Sequence, residues 1–185
     1  MSFNIDQQDE WISHARHIRS PNCDERPEPF EISLIVIHGI SLPPNCYGGP
    51  YIDQLFTNSL NTEDHPYFKD ISHLRVSSHL MINRQGLLTQ YVPLKKRAWH
   101  AGESEFKGRK VCNDFSIGIE LEGCDDESYT DSQYKVLIEL TEMIRLHWPA
   151  ISKDRIVGHE DIAPGRKTDP GPAFDWQRYL TGMTE

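Results

Sequence analysis

The sequence predicts a mixed α/β domain, a sheet with helices packed against it, on three observations. Ile32 to His38 (ISLIVIH) is apolar on both alternating faces. Phe115 to Glu122 (FSIGIELE) alternates apolar with small or polar residues. The segment from Thr130 to Trp148 repeats its apolar positions at helical spacing. Strands interspersed with helices define the class.

Taken in order, Asp9 to Arg16 is expected to form a short helix, followed by an arm punctuated by Pro21, Pro27 and Pro29. Residues 1–30 thus make an N-terminal arm on a single domain spanning 1–185. Ile32 to His38 reads as a strand covered on both sides, ending at His38 before Gly39. Ser41 to Pro50 (SLPPNCYGGP) is loop, and YIDQLFTNSL after it makes a short helix. Ser78 to Asn83 and Leu87 to Val92 flank RQG and pair as strands. In FSIGIELE, Phe115, Ile117, Ile119 and Leu121 share one face, and Ser116, Gly118, Glu120 and Glu122 share the other. Thr130 and Gln133 form a capping box. Tyr134, Leu137, Ile138, Ile144 and Trp148 mark the buried stripe of a helix that Pro149 stops.

A chain of 185 residues buries a real core without staples. Its net charge of -9 argues against nucleic acid or an anionic membrane as a partner reached by bulk electrostatics. No basic start leads into an apolar segment and no run approaches a membrane span, so cytoplasmic residence is expected. Cys23, Cys46, Cys112 and Cys124 lie far apart with no CxxC pair, the pattern of reduced thiols.

The chemistry concentrates in GHEDIAPGRKTDPGPAFDW, Gly158 to Trp176. Its three glycines and three prolines exclude regular structure through most of its length. A loop of this kind is often organised by a metal, and His159 and Asp169 bracket the turn while His38 closes the buried strand. Ligand sites collect at the carboxyl ends of strands. Two histidines, a carboxylate and a water make a catalytic zinc set, which lowers the water's pKa toward ~7. His79 and His100, also at strands or strand edges, compete as ligands, and spacing does not choose among them. Glu120 shares its face with Ser116 and Gly118, so that face either floors a cleft that substrate approaches closely or simply meets solvent. In a cleft, Glu120 would move protons. Lys167, two residues before Asp169, would steady an oxyanion or else be an ordinary surface lysine. Trp99 and His100 in AWHAGES offer an aromatic wall for a sugar or peptide, or a buried tryptophan.

The blocks VIHGISLPP, HPYF, LRVSSHLMI, QYVP, RAWHAG, CNDFSIGIELEG and GHEDIAPGRKTDPGP, in this order, resemble the cytoplasmic N-acetylmuramyl-L-alanine amidases that recycle 1,6-anhydromuropeptides. The broader family is similar to phage-lysozyme-type amidases and peptidoglycan recognition proteins. The resemblance implies a central mixed sheet flanked by helices and a zinc cleft. It places the metal ligands on His38, His159 and Asp169 and the catalytic pair on Glu120 and Lys167, and it moves His79 to a structural or supporting role. The implied reaction hydrolyses the amide between the lactyl group of the muramic acid and the L-alanine of the stem peptide. The implied partner is a small soluble muropeptide, with no obligate protein partner. Two positions depart from the family pattern. Gly39 stands where asparagine commonly follows the strand-end histidine, implying a missing polar contact. Val111 stands where a basic residue commonly precedes CND, leaving Arg75, Arg109 or Lys110 as candidates to meet the peptide carboxylates. The alternatives are an endolysin-type amidase acting on polymeric peptidoglycan and a noncatalytic peptidoglycan-binding module. The presence of all five chemical positions disfavours the latter.

Overall fold

The computed structural model describes residues 3–6 and 10–184. Its strands are β1 (Arg16–His17), β2 (Cys23–Asp24), β3 (Leu34–Ile40), β4 (Leu80–Ile82), β5 (Leu88–Gln90), β6 (Arg97–Ala98), β7 (Glu105–Phe106), β8 (Arg109–Lys110), β9 (Ser116–Glu122) and β10 (Ile156–Gly158). The helices are α1 (Tyr51–Phe56), α2 (Phe68–Ile71), α3 (Asp131–His147), α4 (His159–Ile162) and α5 (Trp176–Gly182). Six strands form one sheet in the order β1-β5-β4-β9-β3-β10. Within it only the β4–β5 pair is antiparallel, so the sheet is mixed, as the sequence class requires.

The two longest strands, β3 and β9, lie side by side in the middle, and every residue of β9 is buried. Their alternation divides the core. Ile35, Ile37, Ile117, Ile119 and Leu121 meet Leu137, Leu140 and Ile144 of α3 and Tyr179 of α5. Leu34 and Val36, on the other face, meet Ala101, Phe115 and Ile162. Each fully buried aliphatic side chain contributes about 1.5–3 kcal/mol. On the same side as Val36, Met81 packs with Ile52, Leu55 and Phe56 of α1 and with Phe68 of α2.

Helix α3 begins as the sequence reads. Thr130 Oγ1 accepts from the Gln133 amide at 3.1 Å, and Gln133 Oε1 accepts from the Thr130 amide at 3.0 Å. Gln133 has a further role that its polarity concealed: its fully buried Nε2 donates to the carbonyls of Ile82 and Glu122, clamping helix to sheet. Leu140 and Thr141 join the buried stripe, whereas Ile138 and Trp148 are only partly buried.

Two expectations are corrected. The helix expected from Asp9 to Arg16 does not form over its described part, and Asp9 itself lies outside the described residues. Ile12 bridges to Ile5 and its amide donates to Gln90 Oε1 at 2.7 Å, and Arg16–His17 adds an edge strand beside β5. Positive φ at Glu10 and His14 is incompatible with a continuous helix. Tertiary pairing here overrides local pattern. Strand β3 also runs past His38 to Ile40 because its partner β9 continues alongside it to Glu122.

Candidate metal centre

Strand register assembles the site. His38 on β3 stands opposite Glu120 on β9, and Gly158 on β10 stands opposite Ile37. His159, the next residue and the first of α4, is therefore level with His38. The Pro/Gly-rich chain that follows folds back so that the Glu160 amide donates to the Asp169 carbonyl at 3.0 Å, carrying the Asp169 carboxylate to the two rings.

His38 Nδ1 and His159 Nδ1 lie 3.0 Å apart, and each is 3.1 Å from Asp169 Oδ2. A tetrahedral ion with ligands at about 2.0–2.1 Å holds its donors roughly 3.3 Å apart, close to the size of this triangle. His159 Nε2, 3.1 Å from the Ala101 carbonyl, can only donate to it, which leaves the lone pair of the neutral ring on Nδ1. Burial holds His38 neutral, with its pKa depressed to about 4. Burial also opposes charge on Asp169, but contact with His159 and His38 outweighs it and keeps the carboxyl below the ordinary carboxylate range. His38 Nδ1, His159 Nδ1 and Asp169 Oδ2 thus converge on one point, an arrangement that a cation, metal or proton, holds together. These three residues fit a metal ion.

The triad opens into a cleft of about 610 Å³ lined also by Glu120, Lys167, Trp99 and His100. Glu120 is 8% exposed, and burial, reinforced by Asp169 and opposed by Lys167, pushes its carboxyl well above the usual range. Lys167 is exposed at the cleft edge. Trp99 is half-buried, its Nε1 donating to Asp24 Oδ1 at 3.1 Å. His100 stands behind His38 rather than beside the triad, with its Nδ1 2.9 Å from His38 Nε2. His79 has both ring nitrogens engaged elsewhere: Nδ1 accepts from the Gly118 amide, and Nε2 meets the Lys96 carbonyl. Arg75 and Arg109 are exposed and are not among the residues lining the cleft. Arg75 lies against carbonyls of its own turn, and the Arg109 guanidinium covers the Phe115 ring at 4.0 Å.

Two readings of small residues change. Ser116 and Gly118 do not floor the cleft for substrate, because His100 fills that space: a Cβ on Gly118 would lie 2.5 Å from His100 Cγ. At Gly39 the space is likewise taken, since a Cβ there would overlap Tyr129 Oη, which donates to the Pro170 carbonyl at 3.0 Å. Gly39→Ala is therefore expected to cost about 1–3 kcal/mol by overpacking. Tyr129→Phe in the same chain should recover part of that loss. Urea unfolding of the two single variants and the double variant checks this, and strictly additive costs would reject the contact. Val111, the other departure, is exposed and adopts φ 58° and ψ 64°, a left-handed backbone that β-branched residues rarely take, with its amide donating to the Ser104 carbonyl; nothing in the structure explains the valine.

Sequence reasoning missed Tyr129, Asn113 and the apolar wall of the cleft. Asn113 Oδ1 accepts from the amides of His100 and Ala101, fixing the loop after β6 that backs both candidate histidine ligands. Tyr67 and Leu74 line the cleft together with Phe56 and Ile71. The available signal for Tyr129 was a pair of glycines, Gly39 and Gly123, each of which leaves room for its ring.

The fold and this site define a mixed α/β hydrolase with a metal centre in an open cleft. The chain belongs to the N-acetylmuramoyl-L-alanine amidase family, whose model matches residues 28–172. It is 55% identical over 172 residues to the 1,6-anhydro-N-acetylmuramyl-L-alanine amidase AmpD of Haemophilus influenzae, covering 93% of this chain and 94% of that protein. It is 54% identical over 169 residues to the AmpD of Escherichia coli K12, covering 91% and 92%. A crystal structure of a selenomethionine AmpD derivative superposes with a TM-score of 0.94 at 52% identity, covering 98% of this chain and 99% of that one. AmpDh3 of Pseudomonas aeruginosa, solved in complex with anhydromuramic pentapeptide, gives a TM-score of 0.61 at 26% identity, covering 89% of this chain and 66% of that one.

Proposed function

We propose that this amidase is zinc-dependent and cleaves the amide between the lactyl group of 1,6-anhydro-N-acetylmuramic acid and the L-alanine of the stem peptide, acting in the cytoplasm on soluble recycled wall fragments. The observation that carries the metal reading is the convergence of His38 Nδ1, His159 Nδ1 and Asp169 Oδ2 within one cleft that also holds Glu120. A two-histidine, one-carboxylate set suits catalytic zinc. The substrate reading draws on relatives that bear the anhydro-sugar in their names and cover more than nine-tenths of the chain.

When bound, zinc supplies a Lewis acid that polarises the amide carbonyl and acidifies water. Glu120 takes a proton from the attacking water and returns it to the alanine nitrogen as the C–N bond breaks. Lys167, at the cleft edge, offers an ammonium to the oxygen that becomes negative at the tetrahedral carbon. The hydroxyl from water ends on the lactyl carbonyl carbon and the proton on the departing amine, leaving the anhydro-sugar acid and the free stem peptide.

The zinc-loaded protein is expected to show much higher kcat/KM on anhydromuramyl peptides than on the same peptides carrying a reducing muramic acid, and negligible release from intact sacculi. Mass spectrometry of freed stem peptide from the three substrates checks this. Efficient solubilisation of sacculi would favour the endolysin-type reading, and no cleavage of any of the three would favour a binding module.

A further inference from the structure

The two candidate histidine ligands are held from behind in different ways. His159 points its outer nitrogen at a backbone carbonyl, that of Ala101, which can only accept. His38 points its outer nitrogen at another imidazole: Nε2 lies 2.9 Å from His100 Nδ1 in a buried pair. His100 Nε2 in turn lies 3.0 Å from Ser116 Oγ, whose residue is fully buried. Strand β9 builds the seat for this ring with two residues of one face. Gly118 leaves the space, since a Cβ there would fall 2.5 Å from His100 Cγ, and Ser116 provides the polar end. Asn113 Oδ1 fixes the His100 backbone by accepting from its amide at 3.2 Å.

We propose that His100 is a positioning residue for the metal centre, the middle of a buried relay from His38 through His100 to Ser116 that sets the tautomer and ring angle of the His38 ligand. The relay rests on the zinc reading above. With His38 Nδ1 turned to a metal, the proton of the neutral ring sits on Nε2, so His100 must accept at Nδ1 and then carries its own proton on Nε2, facing Ser116. The assignment therefore runs outward from the metal without ambiguity at either ring. Partners of this kind raise ligand basicity and hold ring orientation, and their loss typically costs about 10–100-fold in metal affinity. The pairing also explains why a strand residue as buried as Ser116 is polar, and why glycine follows two positions later.

The test is zinc affinity by chelator competition, together with the visible spectrum of the cobalt-substituted protein, for wild type, His100→Leu, His100→Asn and Ser116→Ala. His100→Leu removes the acceptor and is expected to weaken zinc binding about 10–100-fold and to alter the cobalt spectrum. His100→Asn, which can offer its amide oxygen near the position of Nδ1, is expected to recover most of that loss. Ser116→Ala should weaken zinc binding measurably, and it decides the matter if His100→Leu does not fold. Wild-type affinity and spectrum in His100→Leu would overturn the relay, as would an Asn variant as weak as Leu, or an unchanged affinity in Ser116→Ala. A wild type that binds zinc and cleaves substrate alongside such results overturns the relay alone. A wild type that takes up no zinc overturns the metal reading and the relay with it.

Discussion

Asp169→Ala is expected to lose metal and turnover together, with turnover falling by roughly 10³-fold or more if the three ligands act as a unit. Asp169 is the one anionic donor of the triad. Without it two neutral imidazole nitrogens, 3.0 Å apart, face a cation with no carboxylate to offset its charge. The loop should survive the change. Its course is fixed by backbone groups, the Glu160 amide on the Asp169 carbonyl and Tyr129 Oη on the Pro170 carbonyl, neither of which uses the Asp169 side chain. Loss of function with an unchanged fold is thus the specific signature. Metal content by atomic absorption, measured beside turnover and circular dichroism, checks it; full zinc and full turnover in Asp169→Ala would remove the residue from the ligand set.

The parts of this fold that were legible in the sequence are those where local pattern and tertiary demand agree. β9 and β3 as strands and the Thr130–Gln133 box as a helix start each have one physical reading, and burial enforces it, whereas the use of the small polar face of β9 stayed open. The segment after Glu10 was not legible because its polar and apolar residues suit a helix, while the open edge of β5 and the Gln90 side chain offer it stronger partners. At the site, residue types pointed to a metal, yet His79 and His100 competed with His38 and His159 for the role. Strand register settles which of them converge: Gly158 opposite Ile37 places His159 beside His38, a relation between positions 121 residues apart that no spacing rule contains. Glycines were the least legible. Gly39, Gly118 and Gly123 are small because Tyr129 and His100 occupy the space beside them, and a sequence records the missing side chain without naming the ring that takes its place.

Glu120→Gln is expected to separate chemistry from metal binding and from stability. The amide keeps the shape of the side chain but neither takes up nor returns a proton at the cleft, so turnover should fall by ~10²–10⁴-fold, the range for a lost general acid–base. Zinc should remain, because Glu120 is not one of the three converging donors. Stability should move the other way. In the metal-free protein, burial and the nearby Asp169 raise the Glu120 pKa well above its ordinary value, so the folded state holds this proton more tightly than the unfolded state. Stability from this group is then fully present below the unfolded pKa and is lost as pH climbs toward the folded one, because the unfolded chain ionises first. The uncharged amide of the variant carries no such penalty. The metal-free variant should accordingly match the wild type in acid and exceed it increasingly as pH rises above the ordinary carboxylate range, while its zinc-loaded form stays nearly inactive. Unfolding midpoints across that pH range, with zinc content and turnover on the same preparations, check the three expectations at once. A variant that keeps zinc and near-normal turnover would strip Glu120 of its proton-transfer role, and one that loses stability as pH rises faster than the wild type would contradict the burial of a protonated carboxyl at this position.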